Sequence, residues 1–173
     1  MKKILFLSLV AVLSLAACNS KAKQEKQTKE EKIEAISISE VMKMAEENIG
    51  KEICFQGIVN HVCAHSGRRC ILIDSTGKLS LRVEAKGEIN GFNRELSGST
   101  IVVKGTLQEK RLSEEFISEW EAKVKAKEDA EEGGEHCASE MTNIKQMREW
   151  MKTKNKDFYS IYFVNGTSYE IVD

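Results

Sequence analysis

The sequence predicts an α+β domain, mainly β, built around a small, partly closed antiparallel barrel with inserted helices and a C-terminal hairpin. Two observations predict this fold. Four β-rich runs follow one another between residues 53 and 105, separated by turn-forming or polar segments. Two helical patterns then stand between the fourth run and a last β-rich stretch, so the chain leaves the sheet and returns to it.

The first element is a short helix. Ser37 and Glu40 have the spacing of a capping box, and apolar residues follow at helical spacing as far as Ile49, where Gly50 is expected to end the helix. The strands that come next alternate apolar and polar residues or are rich in β-branched residues. They are expected at residues 53–62, 70–73 and 79–83 and from residue 101.

The second half contains the inserted helices. Ser113 begins a helix whose apolar side is Phe116, Ile117, Trp120 and Val124. A third helix is expected to follow His136 and Cys137. Asn165-Gly166 lies between β-rich runs at 159–164 and 167–172, a pattern that predicts a terminal hairpin.

Two glycine-bearing segments resemble OB-fold proteins. They are Gly50-Lys51-Glu52-Ile53 with Gly57-Ile58-Val59, and later Gly98-Ser99-Thr100-Ile101-Val102-Val103-Lys104-Gly105. From residue 36 onward the chain looks most like the OB-fold lipoproteins of Bacteroidetes-type bacteria. The resemblance implies a ligand among oligonucleotides, oligosaccharides and proteins. The inserted helices and the final hairpin depart from the minimal five-stranded barrel.

The N-terminus predicts export. Lys2 and Lys3 precede an apolar run at 4–15 that is too short to span a bilayer and has the layout of a secretory signal. Its ending, Leu15-Ala16-Ala17-Cys18, resembles the lipobox of bacterial lipoproteins. That resemblance implies cleavage before Cys18, lipidation of Cys18 and attachment to the cell membrane or outer membrane. Asn19 after the cysteine favours the outer membrane under the enterobacterial sorting rule.

Composition divides the rest of the chain. Residues 18–32 contain almost no apolar side chain after Cys18 and are expected to form a charged tether, whereas 33–173 has the length of one domain. The predicted organisation is therefore a signal peptide at 1–17, the lipidated tether at 18–32 and an OB-like domain at 33–173. The formal net charge of −1, with both signs interspersed, disfavours nucleic acid as a partner.

Cysteine and histidine cluster in this chain. Each of the three histidines lies within two residues of a cysteine. His61, Cys63 and His65 would project from one face if the first strand continued through residue 65. Thiolates and imidazoles suit Zn²⁺ best, with Cu⁺ or Fe²⁺ as alternatives. We expect a transition-metal site drawn from His61, Cys63, His65, Cys70, His136 and Cys137.

Disulfides are the alternative use of the same thiols. Export makes them credible, and four of the five cysteines remain when Cys18 carries lipid. Cys63–Cys70 could pin the second turn and Cys54–Cys137 could tie the late helix to the barrel.

Three functions follow from these patterns. The first is a membrane-anchored OB-fold binding module with a Zn-type site, and the second is a disulfide-stapled lipoprotein that binds a protein or glycan partner. The third, a thiol-redox or metal-dependent enzyme, would act through the metal or a reactive Cys137, but no catalytic constellation is evident.

Overall fold

The computed structural model describes residues 34–129 and 134–172. The predicted signal peptide, lipidated Cys18 and tether lie outside them. Six strands and three α-helices occur in the described residues. The strands are β1 (Ile36–Ser37), β2 (Glu52–Val62), β3 (Arg69–Ile73), β4 (Ser80–Ala85), β5 (Thr100–Ser113) and β6 (Phe158–Val172). The helices are α1 (Ile38–Met44), α2 (Glu114–Asp129) and α3 (Gly134–Lys154).

Five of the strands close into a barrel. Their order is β2-β3-β4-β6-β5, and β5 returns to pair with β2 from Glu52↔Thr106 to Ile58↔Thr100. The β4–β6 pair is parallel, and the other barrel pairs are antiparallel. The predicted OB-like α+β fold is confirmed, as a closed and mixed barrel rather than a partly closed antiparallel one. Sequence alternation could not reveal the parallel pair, because it depends on which strand the chain returns to.

Alternating side chains fill the barrel. Along β4 the residues Leu81, Val83 and Ala85 are buried, while Arg82 and Glu84 lie on the outer side, as the sequence pattern predicts. The same alternation on the other strands builds one continuous apolar cluster, the barrel core. Its largest fully buried side chains include Phe55, Leu72, Ile101 and Leu107.

The prediction of a final hairpin at Asn165-Gly166 was wrong. Residues 158–172 form the single strand β6, which pairs along its whole length with β5. A Cβ on Gly166 would lie 2.7 Å from Cγ1 of Val83, and one on Gly105 would overlap the carbonyl of Asn165. The glycines therefore permit close strand contact, and the ladder between β5 and β6 shifts register beside Gly105.

The first helix begins as predicted and ends early. Ser37 Oγ accepts a hydrogen bond from Glu40 N at 3.2 Å, and the Glu40 carboxylate accepts one from Ser37 N at 2.8 Å, which completes the capping box. The α-helix stops at Met44, and a 3-10 turn at Glu46–Asn48 follows before Gly50, whose φ is +79°.

Helices α2 and α3 stand on a two-stranded extension of the barrel. Residues 109–113 of β5 and 158–162 of β6 pair with each other beyond the described pairings of β2 and β4; we call them the ribbon. The helices and the ribbon enclose a second apolar cluster, the helical core. Its buried members are Leu112, Ile117, Val124, Cys137, Ile144 and Met151.

No helix among the described residues is both long enough and apolar enough to cross a membrane.

Candidate functional site on the outer barrel face

Two of the predicted metal ligands lie in the turn after β2. The expectation that the strand continues through residue 65 was wrong: β2 ends at Val62, and Cys63 and His65 lie in the turn. Val62 points into the core with 3% exposure, as predicted. The β2–β3 pairing shifts register between Val59 and His61, near the end of β2.

Cys63 occupies a polar pocket within this turn. The Ser66 hydroxyl donates to Cys63 Sγ at 3.8 Å, and the half-buried thiol is free. Backbone hydrogen bonds from His65 and Ser66 lower the pKa of Cys63, with further help from the Ser66 hydroxyl and the charge of Arg69. The turn therefore favours a thiolate at Cys63.

The other predicted thiol ligands point elsewhere. Cys70 lies in the barrel core, where burial raises its pKa to about 12, and Cys137 lies in the helical core with 1% exposure. Helix α3 begins at Gly134, so Cys137 is inside its first turn and not ahead of the helix as predicted. Cys54 pairs with Lys104 across β2 and β5, and its own burial raises its pKa.

Neither a metal site nor a disulfide is formed among the described residues. No group of three or more His, Cys, Asp or Glu side chains there is arranged to hold a metal ion. The four described thiols are free, and the side chain of His136 lies outside what the structure describes. The zinc site drawn from His61, Cys63, His65, Cys70, His136 and Cys137 stays a prediction.

A row of side chains crosses the outer side of the barrel instead. His61 pairs with Ile71, Ile71 with Arg82, and Arg82 with Phe163, so the row runs from β2 to β6. Directly paired residues project from the same face of a sheet. We call this row, together with the outward-facing Ile58, Ile73, Arg69 and Glu84, the outer face.

Cationic groups are in excess on the outer face. The guanidinium carbon of Arg82 lies 4.7 Å from the centroid of the Phe163 ring, a cation–π contact. Its Nε forms an ion pair with Glu84 Oε1 at 3.4 Å but no hydrogen bond, so this buried nitrogen lacks a hydrogen-bond acceptor among the described residues. Arg69 Nε approaches the same oxygen at 3.9 Å. Two guanidinium groups thus share one carboxylate, and a second acceptor would satisfy them.

Sequence reasoning missed the centre of this site. The alternation in β4 placed Arg82 on the wet side, but it could not show that Phe163 would lie against it from a strand far along the chain. Two other aromatic residues of β6, Tyr159 and Tyr169, pack against aromatic rings outside the sheet. Tyr159 meets Trp150 edge-on at 5.1 Å, and Tyr169 meets Phe92 at 5.4 Å.

No protein-family model and no curated protein matches this chain. Solved structures do match it, and two aspartyl-tRNA synthetases are among them. An aspartyl-tRNA synthetase from Leishmania major is 12% identical over 86% of this chain, with a TM-score of 0.40. Aspartyl tRNA synthetase from Entamoeba histolytica is 10% identical over 99% of this chain, with a TM-score of 0.43. The chain spans only 22% and 29% of those two proteins. The OB-like assignment rests on the strand order described above.

Proposed function

We propose that this protein is a lipid-anchored, OB-fold binding module that docks an acidic protein partner on its outer face. The anchor would be Cys18, on the strength of its lipobox-like context. Binding by the barrel would hold the partner at the membrane surface.

The observation that carries this proposal is the excess of positive charge around Arg82, where the guanidinium groups of Arg82 and Arg69 share the Glu84 carboxylate. The Arg82 side chain is held against Phe163 and remains 31% exposed. An incoming carboxylate would form charge-assisted hydrogen bonds with the accessible part of the guanidinium. Because the stacking on Phe163 already orients the planar group, less conformational entropy is lost when a ligand binds.

Two features favour a protein over a glycan or a nucleic acid. The ring of Phe163 is covered by Arg82, so it offers no bare platform on which a sugar or base could stack. Half-buried aliphatic side chains lie beside the guanidinium groups, and apolar contact of this kind is typical of protein interfaces. They are Ile58, Ile71 and Ile73.

Site-specific photo-crosslinking in the native host tests this proposal. A photo-crosslinking amino acid in place of Ile71 should give a discrete protein adduct, whereas the same group at the exposed Lys43 of α1 should not. Arg82→Glu should abolish the Ile71 adduct because it places a negative charge opposite the acidic partner. Lys127→Glu, on the exposed side of α2, is the charge-matched control and should leave the adduct intact.

Identical adducts at positions 71 and 43, or an Ile71 adduct that survives Arg82→Glu, would show that the outer face is not the docking surface. The lipid anchor is tested separately. Cys18→Ser should release the protein from the membrane fraction, and retention of the variant there would contradict lipidation at Cys18.

Zinc binding at the turn after β2 remains a second proposal. It rests on the neighbouring His61, Cys63 and His65, which supply two imidazoles and a thiol close together in the chain. Elemental analysis of untagged protein purified without chelator should find stoichiometric zinc that Cys63→Ser removes. Metal-free protein with a functional outer face would leave docking as the function.

A further inference from the structure

An apolar slot opens between α2, α3 and the ribbon. Its volume is about 340 Å³, within the range of ligand-binding clefts. Phe116 stands at its edge with 50% of its surface exposed, although it is a large apolar side chain. The slot is lined by Lys110, Leu112, Phe116, Glu119, Trp120, Lys123, Met147 and Ile161.

The slot lies on the same side of the sheet as the outer face. Lys110 pairs with Ile161, and Gln108 pairs with Phe163, two residues nearer the barrel along each strand. Ile161 and Phe163 are two residues apart on one strand, so their side chains share a face and stand about 7 Å from each other. The Arg82–Phe163 pair is therefore the near neighbour of the slot.

The rim of the slot is cationic. Lys110 and Lys123 stand on the ribbon and on α2, and no described residue forms an ion pair with either of them. Glu119 is the one acidic residue that lines the slot, so two positive charges face one negative charge. A ligand with an apolar group and flanking carboxylates would match both the lining and the rim.

We propose that the slot binds a bulky apolar side chain of an extended acidic peptide, which places the peptide's carboxylates against Lys110, Lys123 and Arg82. The proposal rests on the docking function above and names the kind of partner segment. In an extended chain, residues two positions apart are also about 7 Å apart, which equals the spacing between Phe163 and Ile161 in the slot lining. The matching segment therefore has a large apolar anchor with an acidic residue two positions away.

Short synthetic peptides test this pairing directly. The probe is an acetylated, amidated pentapeptide of four glutamates around a central leucine, titrated into the full domain while tryptophan emission is followed. Trp120 lines the slot and should report saturable binding. Replacing the central leucine with alanine, or the glutamates with glutamines, should weaken binding at least about tenfold, because each change removes one of the two matching features.

Substitutions of single lysines in the protein test the charge contribution to peptide binding. Lys110→Gln and Lys123→Gln should each reduce affinity about two- to fivefold, the effect of one exposed ion pair. Lys127→Gln, on the same helix outside the slot, should have no effect. Circular dichroism confirms that all three variants are folded.

Equal binding of the leucine and alanine peptides would overturn the slot proposal, as would an equal loss of affinity in all three lysine variants. Dodecanoate has an apolar chain and a single carboxylate, and tighter binding of dodecanoate than of the peptide would also overturn it. If the Ile71 adduct persists when the peptide fails to bind, only the slot proposal falls. If the Ile71 adduct is also absent, the docking function falls with it.

Discussion

The barrel core and the helical core differ in how they are enclosed. The barrel core is surrounded by a closed ring of hydrogen-bonded strands and consists almost wholly of aliphatic side chains with Phe55 and Phe92. The helical core is covered by two helices on one open ribbon, and half-buried Trp120, Trp150, Met141 and Met147 complete it. The first arrangement provides rigidity, whereas the second leaves apolar surface exposed beside a binding face.

The largest expected effect comes from the barrel core. Phe55 is fully buried, and Phe55→Ala should lower the free energy of unfolding by about 3–5 kcal/mol. Both the circular dichroism and the fluorescence transitions in urea should move to lower denaturant. Ile171→Ala, at a site with 57% exposure, is the control and should change stability by no more than about 0.5 kcal/mol.

The next effect decides whether the two cores unfold together. Ile144→Ala in the helical core should cost about 2–5 kcal/mol locally. Both tryptophans pack against this core, so fluorescence follows it selectively. We expect the fluorescence transition to move to lower urea while the sheet signal in circular dichroism stays near its original midpoint. Coincident movement of the two transitions would show one cooperative unit and would remove the contrast between the cores.

A smaller effect is expected from the ion pairs that join α2 to α3. Arg148 donates to Glu114 at 2.9 Å and to Ser118 at 3.1 Å, and it also contacts Glu121. Arg148→Met should cost about 1 kcal/mol, because the side chain remains about one third exposed and its pairs are partly screened. The measurement is the urea midpoint of tryptophan fluorescence, with Lys152→Met as the control on an exposed position of α3.

The same ion pairs predict a pH dependence. Lys125 and Arg148 lower the pKa of Glu121 from 4.5 to about 2. A lowered carboxyl pKa stabilises the fold above pH 4.5, and that contribution is lost as pH falls toward 2. Arg148→Met should therefore reduce the loss of stability between pH 4.5 and about 2, measured as the urea midpoint of tryptophan fluorescence. An unchanged slope would mean that Arg148 does not set the ionisation of Glu121.

The smallest expected effect is a difference in alkylation rate between the thiols of the two cores. Iodoacetamide with mass-spectrometric mapping should modify Cys63 first, because its pKa is lowered and it is half-exposed. Cys137 should follow and Cys70 should come last, because the helical core opens more readily than the closed barrel. Ser66→Ala should shift the pH profile of Cys63 upward by removing a donor to its sulfur. Equal rates at Cys70 and Cys137 would mean that the two cores open equally often.

Much of the secondary structure followed from local patterns. The Ser37–Glu40 capping box and the alternation in β4 appear in the structure where the sequence placed them. The errors share a cause. Asn165-Gly166 has the local chemistry of a hairpin turn, but strand β6 needs glycine there because β4 and β5 both approach it closely. Local chemistry could not distinguish a turn from a position where neighbouring strands pack too closely for a side chain.

The cysteine–histidine cluster shows the same limit at the level of function. Proximity along the chain keeps Cys63 and His65 close together, but in a turn and not on the strand face where they were expected. It could not show that Cys70 would turn inward, or that Cys137 would be enclosed in a different core. The side a residue faces depends on strand ends and register, and these are decided by long-range pairing.

By itself, the sequence determined the α+β class, the order of the elements as far as α3, the cap of the first helix and the wet face of β4, because each follows from patterns among residues close in the chain. The tertiary structure alone decided that the barrel closes through a parallel pair, that Arg82 meets Phe163, and that Cys70 and Cys137 lie in different cores. Those features join residues far apart in the chain, and only the folded arrangement of strands and helices brings such residues together.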